Sequence, residues 1–530
     1  MKLSLSLLFA LSSVYTVSCT VEKPASYDIV IRSGLIVDGS GNVGYSGDIG
    51  IVGDIIARVG DIPEDSDALV VDASGKMVTP GFIDIHTHAD GGILDDRTAH
   101  NFIAQGVTTV VGGNCGGSRL NLRDFFADIE SEGTALNIGI LVGHNSVRSK
   151  VMGNEGREPT SGELDSMKAI IAEEMEAGAL GLSTGLKYRP GVYAKTDEVV
   201  ELAKVAARYG GFYASHLRDE GLGFYKAVEE AIDVGRRAGI PVQLSHHKAV
   251  GADMWGATER TLAMIDDACA SGLDVTADQY AYRATSTGIG ILFPAWSLEG
   301  NADEIRTRLS DPATRKKVID GIVDNIRHDR GGNDIRNVAI SSCGYDRSFE
   351  GKNLAEILAM KGREPTMENA AVLLIEINGQ GGASAVFHCL SEDDVTRVMK
   401  HPRVMHGSDA SITEFGSGAV HPRNYGNFPR VLGRYVREQK VLALEEAIRK
   451  MTSLPASRIG AADRGRIDEG MAADIVIFDP ERIQDTATYT DPHRYPEGID
   501  CVMVNGVIVV KEGEITGKLP GRVIYGPGKR

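Results

Sequence analysis

Two histidines separated by a single residue, His86 and His88, end the apolar run Gly81-Phe82-Ile83-Asp84-Ile85-His86-Thr87-His88. Alternate side chains of a strand share a face, so on a strand both imidazoles point the same way and can serve one metal ion. A His-x-His pair alone fits two ordinary histidines equally well. Its company changes the reading: Cys115, His216, His246 and Asp409 each also follow a short apolar, strand-like run. Neutral imidazoles and a thiolate suit zinc, which activates water when one coordination position stays open. Cys115 lies in Gly112-Gly113-Asn114-Cys115-Gly116-Gly117, where glycines let the backbone turn tightly beside a bound group. Asp409, in Met405-His406-Gly407-Ser408-Asp409, would be the general base that takes a proton from water and passes it to a departing amine. The bland alternatives are a buried inert thiol for Cys115 and a helix N-cap for Asp409. His246 and His247 are adjacent, so only one can face a barrel axis, and the alternation Val242, Leu244, His246 does not decide between them.

These residues need a scaffold that brings strand ends together. Eight strand candidates run 82–86, 107–112, 137–142, 178–183, 211–216, 242–246, 273–278 and 403–409, with amphipathic helices expected at 198–209 and 225–238. Alternating strands and helices predict an α/β fold, a (β/α)₈ TIM-like barrel over 80–452, with chemistry at the C-terminal ends of the strands, where every candidate ligand sits. The seventh unit is too long for one helix, so 283–402 should contain an insertion on the catalytic face, a lid or pocket wall. Short β-branched runs separated by turns fill 27–79, and a similar texture returns over 453–530. The likeness of Tyr27-Asp28-Ile29-Val30-Ile31 to Ala473-Asp474-Ile475-Val476-Ile477 suggests that both termini build one small β-sandwich.

The chain has 530 residues, 42% hydrophobic and 24% charged, ordinary for a globular enzyme with accessory parts. A net charge of −17 argues against a nucleic-acid partner, whose phosphates would be repelled. Six scattered cysteines without a C-x-x-C pair do not form a disulfide framework. Residues 1–18 read as an export signal, and 19–26 as a short polar tether. Thr16-Val17-Ser18-Cys19 resembles a bacterial lipoprotein box, with Thr16 where Leu is usual. The expectation is a periplasmic or cell-envelope lipoprotein anchored through Cys19, with plain secretion as the alternative.

Together the motifs amount to a family resemblance that covers nearly the whole mature chain. The runs Gly112-Gly113-Asn114-Cys115-Gly116, Gly181-Leu182-Ser183-Thr184-Gly185-Leu186-Lys187-Tyr188, Ser215-His216-Leu217-Arg218-Asp219-Glu220, Ser245-His246-His247-Lys248, Asp278-Gln279-Tyr280-Ala281-Tyr282 and His421-Pro422-Arg423-Asn424-Tyr425-Gly426 resemble the N-acyl-D-amino-acid deacylases (D-aminoacylases) of the amidohydrolase superfamily. The resemblance implies a zinc ion held tightly by Cys115, His216 and His246, a weaker second metal position at His86 and His88, and Asp409 as the catalytic aspartate. It favours His246 over His247. It also implies that Lys248, Tyr282 and Arg423 grip the substrate carboxylate and that Tyr188 lines the scissile carbonyl.

Physical chemistry supports the grip, since Arg423 offers a planar fork and Lys248 a point charge, although most such side chains are solvated surface charges. Tyr280 rivals Tyr282, and His144 either touches substrate or is a satisfied buried histidine. Lys187 stands where many amidohydrolases carry a carboxylated bridging lysine, a role Cys115 would make redundant. Two departures bear on pocket shape: Ala281 replaces a usual Pro, and the segment Ser411 to Ala419 is not the short Pro- and Asp-rich version. The activity implied is zinc-dependent hydrolysis of a linear amide C–N bond in a small-molecule N-acyl-D-amino acid. The alternatives are a cyclic amidase or dipeptidase of the same superfamily, or a lipoprotein that binds without turnover.

Overall fold

Eight parallel strand positions close into a barrel in this computed structural model, which describes residues 26–64 and 67–530. The expected export signal and Cys19 lie outside the described residues. The barrel strands are Phe82–Asp84, Val107–Gly112, the pair Asn137–Ile140 and Val142–Gly143 interrupted only at Leu141, Gly181–Gly185, Phe212–His216, Val242–Leu244, Val275–Gln279 and Val404–His406. Closure is made by the parallel bridge Thr87 to Ala410, flanked by Asp409 N–H donating to the His86 carbonyl at 2.8 Å and His88 N–H to the Ala410 carbonyl at 2.8 Å. The first and last strands therefore meet where His86, His88 and Asp409 reside.

The fourth strand begins at Gly181 rather than at the expected Gly178. Gly178 takes φ +112° and ends the helix Ser161–Ala177, so its residues serve the helix terminus first. Inside the barrel Ile83, Val111, Leu141, Phe212, Ala214 and Met405 pack with Ala456 and Ile459, so the floor is apolar and polar chemistry is confined to the opposite rim. Helices such as Thr196–Arg208 and Phe224–Ala238 cover the outside.

Both termini contribute to one nine-stranded sheet, in which Met77–Pro80 pairs antiparallel with Ile475–Phe478. The sheet curls until Ile56 N–H reaches the Met471 carbonyl at 2.8 Å, enclosing Ile31, Ile36, Ile49, Ile475, Ile477 and Met503 as a sandwich core of its own. No helix among the described residues is long and apolar enough to cross a membrane.

Between barrel strands seven and eight the chain builds an insertion. Ala284–Gly288, Val338–Ser342 and Ser384–His388 form an antiparallel sheet, with the last strand in the middle. Helices Ala302–Ser310, Pro312–His328, Leu354–Met360 and Met367–Gly379 pack on it around Leu292, Val318, Ile322, Ile340, Leu374 and Phe387. The helix starts are locally encoded: Asn301 and Asn353 form capping boxes with Glu304 and Glu356, and Asp311 caps a helix whose first residue is Pro312. The insertion's first strand carries Ser286 and Thr287 to the barrel mouth.

Candidate metal centre and active site

The loop after the second strand shows why glycines surround Cys115. Gly113 and Gly116 have φ of +72° and +76°, and a Cβ on either would lie 2.0 Å from the Leu141 carbonyl oxygen or 2.2 Å from Asn145 Oδ1. Cys115 itself is held at φ +53°, His246 at +35° and Asp409 at +54°. For residues with a side chain this left-handed region costs about 1–2 kcal/mol each, strain that surrounding structure must hold.

The result is a convergence of donors. Cys115 Sγ lies 3.4 Å from His86 Nε2 and 3.5 Å from His246 Nε2, and His246 Nε2 lies 2.8 Å from His216 Nδ1. Donor atoms of Cys115, His216 and His246 all fall within 4.8 Å of one another, and so do those of His86, His88, Cys115 and Asp409. Burial alone would raise the Cys115 thiol, but the imidazoles of His86 and His246, with a hydrogen bond from His216, outweigh it and hold the group well below its usual range, as a thiolate. Burial pushes His216 down to about 4, so its ring is neutral and keeps a lone pair to donate. A thiolate with two imidazole nitrogens is a donor set that fits zinc.

Two carboxylates orient these donors. Asp278 accepts from His86 Nδ1 at 3.0 Å, from His246 backbone N–H at 2.7 Å and from Gln243 at 2.8 Å. With Nδ1 so engaged, His86 turns Nε2 toward Cys115. Glu220 lies 3.2 Å from His246 Nδ1 and 3.6 Å from His216 Nε2, and is itself paired with Lys248 and, at 2.7 Å, with Arg330.

Asp409 faces the other side. Its Oδ1 is 3.1 Å from His88 Nε2 and its Oδ2 is 2.8 Å from Arg423 Nη1. Burial would raise its pKa, yet the Arg423 guanidinium and the His88 hydrogen bond hold it well below the usual carboxylate range. Asp409, Cys115, His88 and Arg423 line a chamber of about 520 Å³, walled by Tyr188 and by Ser286, Thr287, Ser341, Ser342 and Ser384 of the insertion.

Residues 69–510 match the amidohydrolase family. An N-acyl-D-glutamate deacylase of Alcaligenes xylosoxydans xylosoxydans is 36% identical over 94% of this chain and 96% of its own length. The crystal structure of a D-aminoacylase superposes with a TM-score of 0.80 at 34% identity, covering 94% of this chain and all of that one. An N-acyl-D-glutamate deacylase from Bordetella bronchiseptica, solved with zinc and a phosphonate inhibitor, also has a TM-score of 0.80, at 32% identity and over 94% of this chain and 100% of that one. The chain belongs to the amidohydrolase family.

Within this amidohydrolase the structure redistributes the expected carboxylate grip. Lys248 is enclosed by Glu220, by His246 Nδ1 at 2.7 Å and by the His246 carbonyl at 2.9 Å, and it does not line the chamber. A buried ammonium needs a counter-charge, and Glu220 supplies it behind the ligands. Tyr282 is also turned away: its hydroxyl lies 3.4 Å from both the Pro422 carbonyl and Asp485, under the Arg430 guanidinium. Tyr280 instead stacks beneath Arg423, 4.8 Å from guanidinium to ring centre, and its buried hydroxyl has no hydrogen-bond partner among the described residues. Tyr280 and Tyr282 share a parity and both follow the end of the seventh strand at Gln279, so alternation does not decide between them. Of the three expected residues Arg423 lines the chamber, with Nη1 paired to Asp409 Oδ2 and its buried Nε without a hydrogen-bond partner among the described residues.

The other expected residues are placed plainly. His246, not His247, joins the cluster; His247 reaches Thr261 Oγ1 at 2.8 Å and packs on Phe224. Tyr188 lies edge-on to His216, ring centres 4.5 Å apart, and lines the chamber. Lys187 bonds Asp329 at 2.8 Å, and His144 is buried against Glu198 at 2.8 Å. Sequence reasoning gave Asp278 and Glu220 no role, although both stand in the motifs that carried the resemblance.

Proposed function

We propose that this chain hydrolyses the amide bond of N-acyl-D-amino acids, releasing a carboxylate and a free D-amino acid. The observation that carries the reading is that Cys115, which shares a donor cluster with His216 and His246, also lines a chamber with an ionised Asp409 and with Arg423, whose buried Nε has no hydrogen-bond partner among the described residues. The relatives named for deacylation of N-acyl-D-glutamate and D-amino acids support it. Zinc bound by Cys115, His216 and His246 would supply Lewis acidity, which activates water and polarises an amide carbonyl. His86 and His88, with Cys115 and Asp409, would hold a second metal ion.

Each side chain then has a task. Asp409 Oδ1 takes the proton of the attacking water and returns it to the leaving amine nitrogen, a transfer that a free D-amino acid product requires. Arg423 binds the α-carboxylate, with the Tyr280 ring stacked beneath its guanidinium. Tyr188 lies over the carbonyl side and, with the insertion, restricts water. Steady-state turnover of N-acetyl-D- and L-amino acids, hydantoins and dipeptides, alongside zinc content, tests the reading. Turnover of hydantoins or dipeptides alone, or none at all with zinc bound, would sink it.

The export reading is proposed on residues 1–19 alone. Cys19→Ser should abolish palmitate incorporation and release the protein from the membrane fraction, and unchanged fractionation of an unlabelled wild type would leave it merely secreted.

A further inference from the structure

The chamber lined by Cys115 and Asp409 adjoins a second, of about 780 Å³, and the two share Tyr188, Arg189, Thr287, Ser342 and Ser384 as lining. The outer chamber lies between the loop after the fourth barrel strand and the insertion. Its charged lining residues are Lys187, Arg189 and Arg218, with no acidic residue, in a chain whose net charge is −17.

Two of these cations are neutralised locally. Lys187 pairs with Asp329 at 2.8 Å and faces Asp219 at 3.9 Å, and Arg218 pairs with Glu230 at 2.8 Å. Arg189 differs: its side chain donates to the Leu298 carbonyl, and among the described residues no carboxylate lies within ion-pair distance of it. The nearby wall is apolar, with Ile289, Ile291, Phe293 and Leu298. An unpaired guanidinium beside an apolar wall matches a carboxylate carried on a short aliphatic stem.

We propose that the outer chamber binds a second anionic group of the substrate, a carboxylate distal to the scissile amide, through Arg189. This inference rests on the deacylase reading above and narrows it to dianionic N-acyl-D-amino acids. One carboxylate is the α-carboxylate held by Arg423. The other comes either from an acidic D-amino-acid side chain or from a dicarboxylic acyl group, and the two sources present the same chemistry to Arg189.

The test is kcat/KM of wild type, Arg189→Gln and Arg189→Lys on two matched pairs. N-acetyl-D-glutamate against N-acetyl-D-glutamine reads the side-chain source, and N-succinyl-D-alanine against N-succinamyl-D-alanine reads the acyl source. A hydrogen bond to a charged group changes affinity by about 10–100-fold, so wild type should prefer one acid over its amide by that factor. Arg189→Gln should remove the preference while changing amide turnover less than about threefold, and Arg189→Lys should restore part of it. The pair that shows the preference identifies the source. Wild-type turnover without preference in either pair, or an equal loss on acid and amide in Arg189→Gln, overturns the inference and leaves the deacylase reading standing. Failure to turn over any N-acyl-D-amino acid overturns both.

Discussion

Cys115 belongs to two neighbouring groups of donors that differ in how tightly the protein holds them. Toward His216 and His246 everything is buried: the two histidines are 2% and 3% exposed, and Glu220 stands behind both rings. Toward His88 and Asp409 the site opens, with the His88 side chain 36% exposed and its ring 3.1 Å from Asp409 itself. The inner group combines soft donors with fixed orientation, which suits permanent metal binding. In the outer group the carboxylate is shared between an accessible histidine and Arg423, an arrangement suited to passing a proton. In the proposed reading, retention and turnover are thus separated across a single thiolate.

The comparison is broken most severely at Cys115. Cys115→Ala should lose zinc and fall to background activity, because the thiolate is the softest donor and belongs to both groups. Metal analysis after gel filtration checks it, and full zinc occupancy with intact turnover would return Cys115 to an inert thiol. Asp409→Asn should retain the inner zinc and lower kcat by about 10²–10⁴-fold, since the amide keeps the shape without accepting a proton. Loss of zinc in that variant would show that the two groups are not separable.

Asp278 joins the two sides, holding His86 through Nδ1 and His246 through its backbone N–H. Asp278→Asn should weaken metal affinity or activity by about 10–100-fold, the usual effect of removing a carboxylate behind a ligating histidine. Competition with a chelator measures it, and unchanged affinity together with unchanged kcat would make Asp278 a packing residue only.

Legibility in the sequence followed the backbone. While the chain stays in a strand, alternation places side chains: Phe212, Ala214 and His216 share the barrel interior, so His216 could be placed from spacing. Where a strand ends, alternation fails. Val242 packs outward against the helix Phe224–Ala238 and Gln243 points to Asp278, so parity alone would send His247 inward. The strand stops at Leu244, and φ of +35° at His246 turns that ring into the site instead. The seventh strand likewise ends at Gln279, before Tyr280 and Tyr282, whose equal parity could not tell them apart. Lys248 shows a different limit, since its partner Glu220 comes from another loop and no local pattern reveals the pairing.

The smallest expected effect is at Arg423, and it sharpens the proton-transfer side of the comparison. In the proposed reading the guanidinium does two things: it holds the Asp409 carboxylate low through Nη1 and has a buried Nε–H left for a substrate carboxylate. Arg423→Gln removes both, whereas Arg423→Lys keeps the charge and loses the fork. Without the positive charge Asp409 binds its proton more readily, so its pKa rises and the acidic limb of the kcat profile moves to higher pH. In Arg423→Lys that limb should stay near its wild-type position. Both variants should raise KM for an N-acyl-D-amino acid by on the order of tenfold, with much less effect on the matching amino-acid amide, which lacks the charge. Handedness depends on the same anchor. With the carboxylate and the carbonyl both fixed, the L-enantiomer must push its side chain into the chamber wall or release one attachment, and either misplaces the carbonyl. Discrimination between hands should therefore narrow in Arg423→Gln. Equal KM changes on acid and amide, an acidic limb that moves alike in both variants, or undiminished preference for the D-enantiomer would detach Arg423 from substrate and leave it only as the counter-charge of Asp409.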